Sequence, residues 1–254
     1  MNPLVMLDVV RFELRRSRTL SRMAVWFVLV LFPVALMTVL RITNPINRVE
    51  AWGLTLYFLV PEVICLLGLL LWATPVISTE IEGQTWIYLA MRRSGRSLVL
   101  LGKYLTAVLW CVSAALVSTS LCVIVMGPAG GWKLWSVMCV LCILSCIAHA
   151  SLYVFIGTIF FRRTMVSAVF YTMSIEYGLA LVPAVANKLT INYRLRGLLA
   201  QWMDWENARS AAENIFGTEP ASIHLIALSI LSVVFLLLAT LRMMVAEFPT
   251  QQEG

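Results

Sequence analysis

Charged side chains are scarce in this sequence: Asp, Glu, Lys and Arg together make up 13% of 254 residues, where soluble domains carry about 25%. Histidine is scarcer still, with only His149 and His224. Neither accompanies a G-x-S-x-G or comparable nucleophile motif, which sets aside an intramembrane hydrolase built on serine and histidine. There is also no internal repeat, no low-complexity tract and no linker that would separate one domain from another, so residues 1–254 read as one membrane domain. What is abundant is apolar: 61% of residues are hydrophobic and the mean hydropathy is +0.88. A soluble globule is excluded on that balance. The net charge of +6 speaks for anionic lipid headgroups and against nucleic acid, because the arginines border the apolar tracts.

A helix rises about 1.5 Å per residue, so a hydrocarbon core of about 30 Å needs roughly 20 apolar residues per crossing. Charge-poor tracts of that order lie at about 23–40, 53–79, 104–126, 134–161, 164–187 and 220–241. The expected fold is an all-α integral membrane protein with about six transmembrane helices. Gly127-Pro128-Ala129-Gly130-Gly131 breaks the third from the fourth. Residues Met1 to Arg22 hold several arginines and acids ahead of an apolar run too long for a signal-peptide core, so the first span is expected to remain in the mature chain. Lysine and arginine in short loops favour the cytoplasmic side. Arg11, Arg15, Arg16, Arg18 and Arg22, then Arg92, Arg93, Arg96 and Lys103, then Arg162 and Arg163 share one side, which places both termini in the cytoplasm of a cell (inner) membrane.

Arg11, Arg15, Arg18 and Arg22 recur at steps of four, three and four. That spacing predicts a basic stripe on an N-terminal amphipathic helix lying at the interface, with a plain positive-inside anchor as the alternative. Between the second and third spans the chain reads acidic, apolar, then basic: Glu80-Ile81-Glu82-Gly83-Gln84-Thr85-Trp86, then Arg92-Arg93-Ser94-Gly95-Arg96, then Leu100-Leu101-Gly102-Lys103-Tyr104. A short cytoplasmic helix around Trp86 and Leu89 is expected.

The order Glu-x-x-Gly-x-Thr, aromatic-rich helix, Arg-x-x-Arg and Leu-Leu-Gly-Lys-Tyr resembles the permease subunits of type 2 ABC exporters, although Ser94-Gly95 stands where many members carry proline. The resemblance implies a coupling helix that docks on a separate ATPase, with Glu80, Glu82, Gly83, Thr85, Trp86, Arg93 and Arg96 in the coupling role. It further implies a second permease copy or related chain, membrane lipids as surroundings, and ATP and magnesium bound on the partner. This chain has no nucleotide site of its own. Six residues separate Gly95 from Gly102 and Tyr104 follows Lys103, whereas a P-loop needs G-x-x-x-x-G-K-[ST]. The expected function is therefore a non-enzymatic permease subunit of an export complex for an unidentified substrate, lipid-like or amphiphilic molecules among the candidates.

Ionisable groups inside spans are costly and default to functional hypotheses. Glu62, His149 and Glu176 are the candidates for a translocation path, with structural pairing between spans as the competing reading. Used without a partner ATPase, the same three residues would make an autonomous channel or proton-coupled carrier. Cys139, Cys142 and Cys146 share a helical face; they read as small packing residues, and no metal site is expected. Leu195, Leu198, Leu199 and Trp202, at helical spacing between the fifth and sixth spans, predict an outer helix that either covers the mouth or gates it.

Overall fold

The structure, a computed structural model, describes residues 3–43, 49–82, 95–127, 131–179, 185–209 and 217–245. Among the described residues the elements are helical, with no strand. α1 (Pro3–Ser17) opens with proline, whose missing N–H costs nothing in a first turn. It stops at Ser17, and Thr19 then caps α2 (Leu20–Thr43) by accepting from the Arg22 N–H at 3.4 Å. α3 spans Val49–Val76, α4 Ser78–Glu82, α5 Gly95–Met126 and α6 Gly131–Ile159. α7 (Thr164–Tyr171) runs on into a π-turn at Thr172–Tyr177. α8 (Ile191–Met203) precedes α9 (Ala221–Val245).

Five helices, α2, α3, α5, α6 and α9, are long and apolar enough to cross a membrane, at 24 to 32 residues each. The tract expected as a fifth span, 164–187, is not one helix. Its regular stretch ends at Tyr177, and Val185–Leu189 forms a 3-10 turn. The 8 residues of α7 and the 6 of the π-turn rise only about 21 Å.

Side-chain contacts give the directions. Trp26 Nε1 donates to Ser113 Oγ at 3.0 Å and Arg41 to the Val125 carbonyl, so α2 and α5 run parallel. Trp135 Nε1 to Ser120 Oγ at 3.0 Å and the Tyr104 hydroxyl to the Ile147 carbonyl at 3.2 Å set α6 antiparallel to α5. Arg96, in the first turn of α5, donates to the Met243 and Met244 carbonyls in the last turn of α9. α6 and α9 thus end at the same end of the bundle, and residues 160–220 return the chain to the other end.

α3 and α6 form the centre. In each, 67% of the most apolar stretch is buried, against 22% in α2 and 17% in α9. Phe27, Val28, Leu31, Ile226, Ile230 and Leu241 are exposed on these outer helices, the surface that lipid covers in a spanning bundle. Close approach at the centre needs small residues. A Cβ on Gly157 of α6 would stand 2.6 Å from the Thr74 carbonyl oxygen of α3, so that crossing admits only glycine.

The basic stripe is interrupted. Arg11 and Arg15 lie on α1, Arg18 in the break after it and Arg22 in α2, because the chain turns at Ser17 to enter the bundle. Arg11, Arg15 and Arg18 remain exposed, as do Leu7 and Phe12 on α1.

Candidate functional site

Two polar centres stand at opposite ends of the bundle. The first gathers around Glu80, on the short helix α4. Its carboxylate is almost fully buried and pairs with Arg16 Nη1 of α1 at 3.3 Å and with the Lys103 ammonium of α5. Lys103 also donates to the Val76 carbonyl at 3.2 Å and to Thr79 Oγ1 at 3.3 Å, so a cation sits at the C-terminal end of α3, where the helix dipole favours it. Its neighbours in sequence reach elsewhere. Gly102 lets α1 close on α5, since a Cβ there would meet Val9 Cγ1 at 2.6 Å, and Tyr104 bonds the α6 backbone. Trp110 Nε1 donates to Ser17 Oγ at 2.8 Å and fixes the elbow between α1 and α2 on α5. Gly102, Lys103 and Tyr104 thus join α5 to α1, to the end of α3 and to α6. Arg96, in the first turn of α5, holds α9. Gly83, Thr85, Trp86 and Arg93 lie outside the described residues, as does the Glu82 side chain, so residues 83–94 are known only by their two flanks.

The second centre is α8. Thr190 Oγ1 caps it by accepting from the Tyr193 N–H at 3.3 Å, and Asp204 ends it in the left-handed conformation at φ 57°. Leu195, Leu198 and Leu199 are fully buried, and Asn192, Tyr193 and Arg194 nearly so. α8 packs on α6 and α9. α8 is sunk into the bundle.

Both acids singled out in the spans hold this helix. Glu62 Oε1 accepts from Arg196 Nε at 2.8 Å, halfway along α3. Glu176 accepts the Ile191 N–H at 3.2 Å and the Asn192 N–H at 3.0 Å, so its carboxylate seals the start of α8. Each acid sits in a π-turn: Phe58–Ile64 around Glu62, and Thr172–Tyr177 around Glu176. The first has a clear cause. Pro61 lacks an N–H, and Cys65 N–H reaches back five residues to the Val60 carbonyl, which frees the Pro61 carbonyl. Ser145 Oγ of α6 donates to that carbonyl at 2.8 Å.

His149 belongs to this support and not to the acids. Its Nδ1 stands 3.0 Å from the Ser145 carbonyl, which can only accept, so Nδ1 carries the proton. No hydrogen bond among the described residues joins two of Glu62, His149 and Glu176. The structure gives each its own partner: Arg196 for Glu62, the Ile191 and Asn192 amides for Glu176, and Ser145 for His149.

A pocket of about 140 Å³ opens beside the Glu62–Arg196 pair, lined also by Tyr57, Leu199, Asn207 and Arg209. Glu62 Oε2 and the Tyr57 hydroxyl are buried and unpartnered among the described residues. Asn207 Nδ2 donates to Glu50 Oε1 at 2.9 Å and ties the end of the α8 segment to the start of α3. On the far flank Glu219 takes Lys188 Nζ at 2.7 Å and Arg194 Nη1 at 2.5 Å, and these cations hold its carboxyl below the usual range.

Arg196, Ser145 and Lys188 carry these arrangements and are not singled out by sequence. The available signal is electrostatic: an acid in mid-span requires a cation within reach, and the α8 sequence supplies Arg194 and Arg196. The cysteine face divides. Cys139 is half-buried, Cys142 Sγ lies 3.5 Å from Thr119 Oγ1, and Cys146 meets Cys65 and Cys111. No protein-family model matches this chain, and no curated protein matches it either.

Proposed function

We propose that this chain is the permease subunit of an ATP-driven type 2 ABC export complex, working with a separate ATPase that binds ATP and magnesium and with a second permease copy or related chain. The observation that carries the reading is the junction at Glu80, Lys103 and Gly102. Both flanks of residues 83–94 are tied to the bundle, by Glu80 and Lys103 on one side and Arg96 on the other. A push on that loop therefore reaches α1, α3, α5 and α9 together, as coupling to an external motor requires. The N-terminal arginines and the flanks of this loop stand at one end of the bundle and α8 at the other. With both termini cytoplasmic, α8 faces outside, and the chain between α6 and α8 makes a sixth crossing. α8, held by ion pairs and a cap, then acts as an outer gate.

The experiment is purification of the tagged full chain from its native membranes in mild detergent. A P-loop ATPase in stoichiometric amount supports the reading, and its recovery should fall when Glu80 and Lys103 are both replaced by alanine. A partner-free chain that conducts ions or protons in liposomes would instead establish the channel or carrier reading. That alternative has less support, because Glu62 and Glu176 are both engaged by α8.

A further inference from the structure

Cys65, Cys111 and Cys146 come from three different helices, α3, α5 and α6, each near its helix midpoint. Helical periodicity cannot produce such a meeting; only the packing does. Their sulfurs all lie within 4.8 Å of one another, with Cys146 Sγ 3.4 Å from Cys111 Sγ and 3.6 Å from Cys65 Sγ. All three side chains are fully buried. A metal ion bound to three sulfurs at about 2.3 Å in a plane would separate them by roughly 4.0 Å. Two edges of the triangle, at 3.4 and 3.6 Å, are shorter than that by about half an ångström, so a small outward shift of Cys146 would admit the ion.

We infer that these three thiols form a binding site for a soft monovalent metal ion, Cu(I), at the centre of the bundle. The donor set is sulfur alone, with no carboxylate or imidazole in the group, and thiols of that kind select Cu(I) over harder ions. A fourth thiol, Cys142, lies against Cys65 but outside the mutually close group, and three such donors fit trigonal Cu(I) better than the tetrahedral shell of structural zinc. Each sulfur ligates as a thiolate, so uptake of Cu(I) releases a proton from every thiol that binds it. The bound ion ties α3, α5 and α6 together, independently of whether the chain works with an ATPase.

The test uses the detergent-purified full chain, reduced and anaerobic, titrated with Cu(I) against a chromophoric Cu(I) chelator. One Cu(I) per chain is expected, with a sulfur-only coordination shell by X-ray absorption and a rise in Tm on loading. Cys111→Ala and Cys146→Ala should abolish stoichiometric uptake, and Cys139→Ala, outside the cluster, should retain it. Nitrogen or oxygen ligands in the wild-type spectrum overturn the inference, as does uptake no greater than that of the triple variant Cys65→Ala, Cys111→Ala, Cys146→Ala. The wild-type spectrum and stoichiometry need no substituted chain, so a folding defect in the variants leaves the test decisive.

Discussion

Glu80 is the residue on which most connections converge. Its carboxylate is 5% exposed and faces both Lys103 and Arg16. Glu80→Ala leaves a mostly buried ammonium without its carboxylate and should cost about 3 kcal/mol; a drop in Tm of the purified chain measures it. Lys103→Met should cost less, since Arg16 still faces the carboxylate, and the two effects should not add in a double-mutant cycle. At the opposite end, Glu176→Leu removes the acceptor for two buried amides and should destabilise α8 by about 1–2 kcal/mol. Hydrogen exchange at the Ile191 and Asn192 amides should quicken and transport should fall. Unchanged exchange at both amides would rule out the capping role. Glu219 adds a pH dependence. Lys188 and Arg194 lower its folded pKa below the ordinary 4.5. The stabilisation they bring is therefore complete above the unfolded value and fades as acid protonates the folded carboxylate. Glu219→Gln should remove that acid-sensitive component of the unfolding profile and leave neutral behaviour reduced but flat.

At the scale of elements, glycine and proline decide how helices meet. In the sequence Gly102 is visible only as a member of a motif. The structure supplies its reason, since Val9 of α1 occupies the space of its missing side chain. Gly102→Val should force α1 off α5 at a cost of about 1–3 kcal/mol. Val9→Ala should recover some of the stability lost by the milder Gly102→Ala, and spin labels on α1 and α5 should report the separation. Pro61 is legible as a disturbance of the second span. That it produces a π-turn, frees a carbonyl for Ser145 and aims Glu62 at Arg196 is not legible, because those partners are 84 and 134 residues away in the chain. α8 shows the same divide. Its apolar spacing is readable, but its depth is not, since an apolar face is equally content against lipid or against α6 and α9.

For the whole molecule, hydropathy and length account for the long helices, because a run of about 20 apolar residues has few other ways to satisfy its backbone in lipid. The contact of Arg96 with the end of α9, and of Arg16 with Glu80, brings the N-terminal helix and the last helix to the same end of the bundle. Topology reporters fused at the two termini should accordingly report the same side. The ordering of spans, the basic borders and the break at Gly127 all follow from local composition, which each segment carries on its own. The short α7, the burial of α8, the partners of Glu62 and Glu176 and the meeting of Cys65, Cys111 and Cys146 do not. They depend on which helices pack side by side and at what depth, and packing of that kind is a sum over distant residues that no single stretch of sequence contains.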